Sequence, residues 1–169
     1  MLPQNPSTTQ CLYRVAGIAV HDDHILLEKG DIGTWSPPGS PVQSTESARQ
    51  VLKRTIHEAL GDEIHVGQLL WVFERIFDWS GEPMYEMTFC LKMSFPPALL
   101  YFPRDMPITW IEQGTPVTFQ WVPIEKLSQK RVTPPCLRHK LPELAHNERS
   151  IVYSAEQAPA QTVPNMFME

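Results

Sequence analysis

The stretch WSPPGSPVQSTESARQVLKRTIHEALG, residues 35–61, decides the reading of this chain. It opens as a loop, with Pro37, Pro38, Gly39 and Pro41 close together. From Thr45 the pattern changes. Ala48, Val51, Leu52, Ile56 and Leu60 recur at helical spacing, so one apolar stripe faces a core. The spacing predicts a helix over Thr45–Leu60, capped by Ser44 or Thr45 and ended by Gly61. Positions 55, 58 and 59 stand three and four residues apart and share one helix face, occupied by Thr55, Glu58 and Ala59. Arg54 and Glu58 are placed to pair at i, i+4.

Outward from this stretch the chain reads as strands and turns. Leu12–Val20 and Ile25–Glu28 form a hairpin around His21-Asp22-Asp23-His24. Val66–Arg75 and Glu86–Met93 form a second around Asp78-Trp79-Ser80-Gly81. Pro96–Gly114 reads as an irregular insertion with one or two short strands. Val117–Val122 alternates as a strand, followed by a helical turn at Ile124–Gln129 and a helix within Pro135–Leu144. Residues 1–10 read as a flexible tail, 11–150 as a single domain and 151–169 as a mobile tail.

Composition narrows the function. The 169 residues are enough for one domain with its own core, and 42% are hydrophobic, which sets the chain apart from disordered sequences. The net charge of −5 argues against a nucleic-acid polymer or an anionic membrane as partner, since both need a basic field. Cys11, Cys90 and Cys136 are too few and too scattered for a disulfide framework or a metal cluster. No apolar run approaches the roughly 18 residues of a membrane span. Residues 1–10 lack the basic start and apolar stretch of a secretory signal, so a cytoplasmic location is expected.

The 35–61 stretch resembles the Nudix box, G-x5-E-x7-R-E-U-x-E-E-x-G-U, in which U is a bulky aliphatic residue. Aligned without gaps, Ser40 falls on the first Gly with Gly39 before it. Glu46 falls on the first Glu, Arg54 on the Arg, Ile56 on the first U, Glu58 on the first Glu of the late pair and Gly61 on the last Gly. Trp35–Ser40 resembles the W-x-x-P-G-G entry to the box. Leu69–Glu74, Tyr85–Met87 and Phe119–Leu127 resemble later segments of bacterial MutT-like members, and the likeness spans about residues 12–145. The chain departs from the box at Thr55, Ala59 and Asp62.

The resemblance implies an α/β fold, a Nudix-type α/β/α sandwich with a mixed curved sheet. It also implies hydrolysis of a nucleoside-diphosphate-linked substrate with Mg²⁺ or Mn²⁺ held by helix carboxylates. Here one carboxylate of three remains, so the metal is expected to bind weakly without substrate. Glu58 is the candidate metal ligand and, with Glu86, the candidate catalytic residue. Glu74 is a second outside acid. Gly39, Glu46, Arg54 and Gly61 are expected to hold the loop and helix together. Glu58 could equally be a solvated partner of Arg54. His57 lies about 100° round the helix from Glu58 and is a poor substitute ligand.

Trp71, Phe73 and Tyr85 are candidates for stacking on a nucleobase, with core packing as the competing role. Two functions follow. One is a metal-dependent hydrolase with weakened or altered activity. The other is an inactive Nudix domain that binds a nucleotide or a protein. A nucleotide-derived small molecule is the expected partner, and the aromatic hairpin is a candidate homodimer surface.

Overall fold

A computed structural model describes residues 10–30, 32–43, 45–61, 63–97, 107–112, 115–146 and 152–157. Its strands are β1 (Gln10–Ile18), β2 (Val20–His21), β3 (His24–Lys29), β4 (Trp35–Ser36), β5 (Gly39–Pro41), β6 (His65–Trp79), β7 (Glu82–Ser94), β8 (Ile108–Glu112), β9 (Thr115–Pro123) and β10 (Val152–Gln157). Helix α1 covers Ala48–Leu60 and α2 covers Leu137–His146, with a 3-10 turn at Ile124–Gln129.

The strands form two sheets, one in the order β10-β6-β7-β1-β5 and one in the order β2-β3-β9-β8, with β4 paired to β3. The first is mixed: β1 runs parallel to β7, and β10 parallel to β6, whereas β6 and β7 form an antiparallel hairpin. Alternation along β1 explains the layering. Val15 joins a core with Val51, Leu52 and Ile56 of α1. Its neighbour Ala16 faces the other way, into a core with Trp71, Phe73 and Leu137. The sheet is thus packed on both faces, giving the expected α/β/α arrangement. Val51, Leu52 and Ile56 are fully buried, and each such side chain contributes roughly 1.5–3 kcal/mol by leaving water.

Local chemistry sets the element ends. The start of α1 differs from expectation: Ser47, not Ser44 or Thr45, is the N-cap. Ser47 Oγ accepts from the Gln50 amide at 3.3 Å and Gln50 Oε1 accepts from the Ser47 amide at 2.8 Å, a reciprocal capping box. Gly61 ends the helix in the left-handed region at φ 75°, a conformation side chains other than Gly resist. The β2–β3 turn places Asp22 and Asp23 at φ 43° and 57°, and the β6–β7 turn places Ser80 and Gly81 at 55° and 86°. Positive φ at both central residues suits the right-handed twist of the flanking strands.

β6 and β7 run longer than expected because pairing continues to Trp79 and Glu82. The expected tail is corrected at Val152–Gln157, which pair in register with Trp71–Ile76. The remainder of both expected tails lies outside the described residues, as do 98–106 and 113–114 of the Pro96–Gly114 insertion. Among the described residues, no helix is long and apolar enough to cross a membrane.

Candidate functional site

The loop leading into α1 is fixed from both ends. Gly39 in β5 pairs with Ala16 of β1. A Cβ on Gly39 would lie 2.0 Å from the Val15 carbonyl oxygen, so only glycine permits this strand approach. At the other end Arg54 reaches back to Glu46, its Nε donating to Oε1 at 3.0 Å and its Nη2 to Oε2 at 2.9 Å. The fork holds the Glu46 carboxyl below the usual carboxylate range and raises the Arg54 guanidinium. Arg54 Nη1 also stands 3.5 Å from Glu58 Oε2. Gly39, Glu46, Arg54 and Gly61 therefore occupy structural positions in the loop and helix.

The face of α1 that carries Thr55, Glu58 and Ala59 borders a slot of about 10 Å³, lined also by Glu28, Gly39, Val117 and Phe119. That space holds about one water molecule. Thr55 is 8% exposed and donates its hydroxyl to Ser40 Oγ at 2.9 Å. Glu28 adds a carboxylate from β3, but that group is already engaged. Arg14 Nη2 donates to Glu28 Oε1 at 3.1 Å and to the Gly39 carbonyl at 3.0 Å, while Ser36 Oγ donates to the same Glu28 oxygen at 3.3 Å.

A divalent ion fits this donor set poorly. Two carboxylates border the slot, each paired with an arginine. The Gly39 carbonyl is also taken by Arg14, and Ala59 offers no donor. Mg²⁺ requires near-octahedral oxygen coordination, and this lining offers it no carboxylate that is not already paired with an arginine. Among the described residues no three His, Cys, Asp or Glu side chains are grouped to hold a metal.

The larger space lies on the other face of the first sheet. A cleft of about 230 Å³ is lined by Arg14 and Ala16 of β1, Phe73, Glu74 and Arg75 of β6, and Glu86, Thr88 and Cys90 of β7. Ser36, Pro37, Thr133, Pro134 and Leu137 close its sides. Glu86 and Arg75 face each other in the β6–β7 register, and Arg75 Nη2 stands 3.0 Å from Glu86 Oε1. Arg75 Nε is buried without a hydrogen-bond partner. An unmet buried donor in a cleft wall is costly, and a ligand acceptor can satisfy it. Cys90 forms part of the floor; burial pushes its thiol pKa far up, so it stays protonated.

The candidate residues are thus divided between the two spaces. Glu58 lines the slot and Glu86 the cleft. Of the aromatic candidates Phe73 lines the cleft. Trp71 is 4% exposed within the α2-side core. Tyr85 donates its hydroxyl to Glu74, and strand alternation turns it away from the face that carries Glu86 and Thr88. Arg14, Glu28, Arg75 and the Thr133–Pro134 wall were not singled out by sequence reasoning. Arg75 stands beside the aromatic run, and Arg14 and Glu28 lie on the two arms of the expected first hairpin, whose strands β1 and β3 fall in different sheets.

No protein-family model matches the sequence, and no curated protein matches it. Solved structures do match by shape. A MutT protein from Bacillus halodurans superposes with a TM-score of 0.61 at 18% identity, covering 86% of this chain and 89% of that one. A NUDIX hydrolase from Nitrosomonas europaea gives 0.56 at 16% identity, with 89% and 81% covered. The chain has the Nudix fold. A UDP-X diphosphatase gives 0.57 at 19% identity, covering 90% of this chain and 70% of that one. Strand β5, its following loop and α1 make up most of the 35–61 stretch, and the slot lies against the Thr55, Glu58 and Ala59 face of the helix.

Proposed function

We propose that this Nudix-fold protein binds a nucleoside-diphosphate-linked small molecule in the cleft between the first sheet and the Thr133–Leu137 wall. One observation carries the reading. The cleft combines an apolar floor, from Ala16, Phe73 and Cys90, with two guanidinium groups, Arg14 and Arg75. Apolar walls with a few placed polar groups suit a base and sugar, and guanidinium forks suit phosphate oxygens. The UDP-X diphosphatase among the similar structures supports a nucleotide-derived ligand.

A second reading is metal-dependent hydrolysis of the same ligand class. It draws support from Glu58 and Glu28 both bordering the slot. In this reading Glu58, in the slot, would be the residue to hold Mg²⁺ or Mn²⁺, and Glu86, in the cleft, would be the residue to accept a proton. Phosphate release from a panel of nucleotide sugars, ADP-ribose, dinucleoside polyphosphates and nucleoside triphosphates separates the two. The binding reading expects calorimetric binding of at least one panel member with no turnover in either metal. Turnover with Mg²⁺ or Mn²⁺ establishes hydrolysis, and absence of binding across the panel overturns both. A homodimer through the β6–β7 hairpin, where Ile76 is 45% and Trp79 58% exposed, belongs to the same proposal and is tested by sedimentation.

A further inference from the structure

We infer that Arg14 is the phosphate-binding cation of this protein, holding the ligand's diphosphate without a divalent ion. The inference rests on the nucleotide-binding reading and deepens it. Its basis is the position of one guanidinium. Glu28 and Gly39 line the slot, Arg14 lines the cleft, and Arg14 Nη2 bonds both Glu28 Oε1 and the Gly39 carbonyl oxygen. Arg14 therefore stands where the two spaces meet. A carboxylate and a backbone carbonyl are the donor types that a hard cation takes. Here a fixed cation from β1 takes them.

The rest of the guanidinium remains available. A guanidinium carries five N–H donors, and Nη2 supplies two of them. Among the described residues no hydrogen bond takes Nη1 or Nε of Arg14. The two Nη2 bonds fix the plane of the fork, so its other edge is held ready for a bidentate oxyanion with little further loss of side-chain freedom. Glu28, with its side chain 16% exposed, keeps the charge compensated when no ligand is bound. Two further cations stand beside the residue that precedes cleft-lining Ser36, and Glu74 and Glu86 place two carboxylates in the same lining. Lys29 Nζ and Lys130 Nζ lie 6.0 and 4.2 Å from the ring centre of Trp35, the residue preceding cleft-lining Ser36. Neither lysine has an ion-pair partner among the described residues. An ordinary structural tie between β1 and β3 would need only the Glu28 bond. It would not need an arginine open to a cleft.

The test uses the full chain, with inorganic pyrophosphate and a set of nucleoside diphosphates and their parent nucleosides as probes, measured by calorimetry in excess EDTA. Wild-type protein is expected to bind pyrophosphate and one or more nucleoside diphosphates in EDTA, with Mg²⁺ changing the affinity by less than about threefold. Arg14→Gln is expected to weaken pyrophosphate and nucleoside diphosphate at least about tenfold, or ~1.4 kcal/mol, while the parent nucleoside binds as before. Arg14→Lys keeps the charge, loses the fork and should restore only part of the affinity. If Arg14→Gln fails to fold, the double variant Arg14→Gln/Glu28→Gln, which leaves no unpaired carboxylate, takes its place, with melting temperature as the control. Pyrophosphate that binds only with Mg²⁺, does not bind at all, or binds Arg14→Gln unchanged overturns the inference. Nucleoside binding without Arg14-dependent phosphate binding leaves the nucleotide reading standing alone. Arg14-dependent pyrophosphate binding with no nucleoside or nucleotide bound overturns the nucleotide reading and leaves the inference.

Discussion

Thr55 Oγ1 donates to Ser40 Oγ across 2.9 Å, so two small hydroxyls tie helix α1 to strand β5. The pair lies beside a slot with room for about one water, and Thr55 is 8% exposed. Removing the hydroxyl while keeping the shape isolates the bond. Thr55→Val should cost about 1 kcal/mol, with Ser40 left short of a partner. A shift in urea midpoint at unchanged m-value is the expected result, and an unchanged midpoint would show that the bond contributes nothing.

Gly39 is the least replaceable position in the loop. Its missing Cβ would stand 2.0 Å from the Val15 carbonyl oxygen and 2.8 Å from the Ala16 Cα, both backbone atoms of β1. No rotamer change relieves such a clash, so β5 must separate from β1. Gly39→Ala should destabilise the fold by roughly 3 kcal/mol or more, at or above the upper end of overpacking costs. By contrast a Cβ at Gly33 meets nothing within 4 Å, although its φ of 72° still disfavours alanine. A thermal melt of the two alanine variants should rank Gly39→Ala far below Gly33→Ala.

The Glu46–Arg54 fork should show itself in acid. Hydrogen bonding to Arg54, opposed in part by desolvation, lowers the Glu46 pKa from its ordinary 4.5. A carboxyl whose folded pKa is depressed stabilises the fold above its unfolded pKa, and that stability is lost as pH falls through the folded value. Wild-type and Glu46→Gln proteins should therefore differ in melting temperature at neutral pH. The gap should close progressively below about pH 4.5. A gap constant from neutral to acid pH would show that the ionic fork does not act through Glu46 ionisation.

These positions were legible because the determinants are local. Glu46 and Arg54 lie eight residues apart on one loop and helix, and the Pro-Gly loop before them announces a close backbone approach. The cleft was not legible in the same way. Arg14 and Glu28 lie on the two arms of the expected first hairpin, but β1 and β3 fall in different sheets, so hairpin register alone does not pair them. The aromatic run was ambiguous for another reason. Trp71, Phe73 and Tyr85 share composition, but strand alternation and core depth assign them to core, cleft wall and opposite face. Capping by Ser47 was missed because Ser44, Thr45 and Ser47 all stand just before α1, and only backbone geometry selects among them.

Tyr85 should be hard to ionise. Its hydrogen bond to Glu74, with desolvation and the Glu74 charge in support, pushes its pKa from 10.0 up to about 12. The sign differs from that of a salt-bridged carboxyl. Between those two values the unfolded chain has released the phenolic proton and the folded chain has kept it, so stability falls as pH rises through that window. Ultraviolet titration of phenolate should lose its most alkaline step in Tyr85→Phe. Persistence of that step in the variant would assign it to another tyrosine, such as Tyr13, whose hydroxyl pKa is raised by a hydrogen bond with Cys11.

Restoring the missing acids tests how far the box alone governs chemistry. Ala59 is partly exposed, so Ala59→Glu should fold, and Glu has a helix propensity close to that of Ala. Thr55 is buried against Ser40, so Thr55→Glu places a carboxylate at a site 8% exposed and should cost several kcal/mol. The double variant should therefore melt well below Ala59→Glu, and folding must be checked before activity. Even when folded it should not hydrolyse the nucleotide panel, because Arg14 still holds Glu28 and the Gly39 carbonyl. Adding Arg14→Leu to Ala59→Glu removes the arginine from both oxygens without the penalty at position 55. That variant should bind Mg²⁺ more tightly than either single variant, by calorimetry. Turnover in Thr55→Glu/Ala59→Glu at least about tenfold above the parent, roughly 1.4 kcal/mol of barrier, would reverse this order. It would show that the helix carboxylates, and not Arg14, govern metal-dependent turnover on this fold.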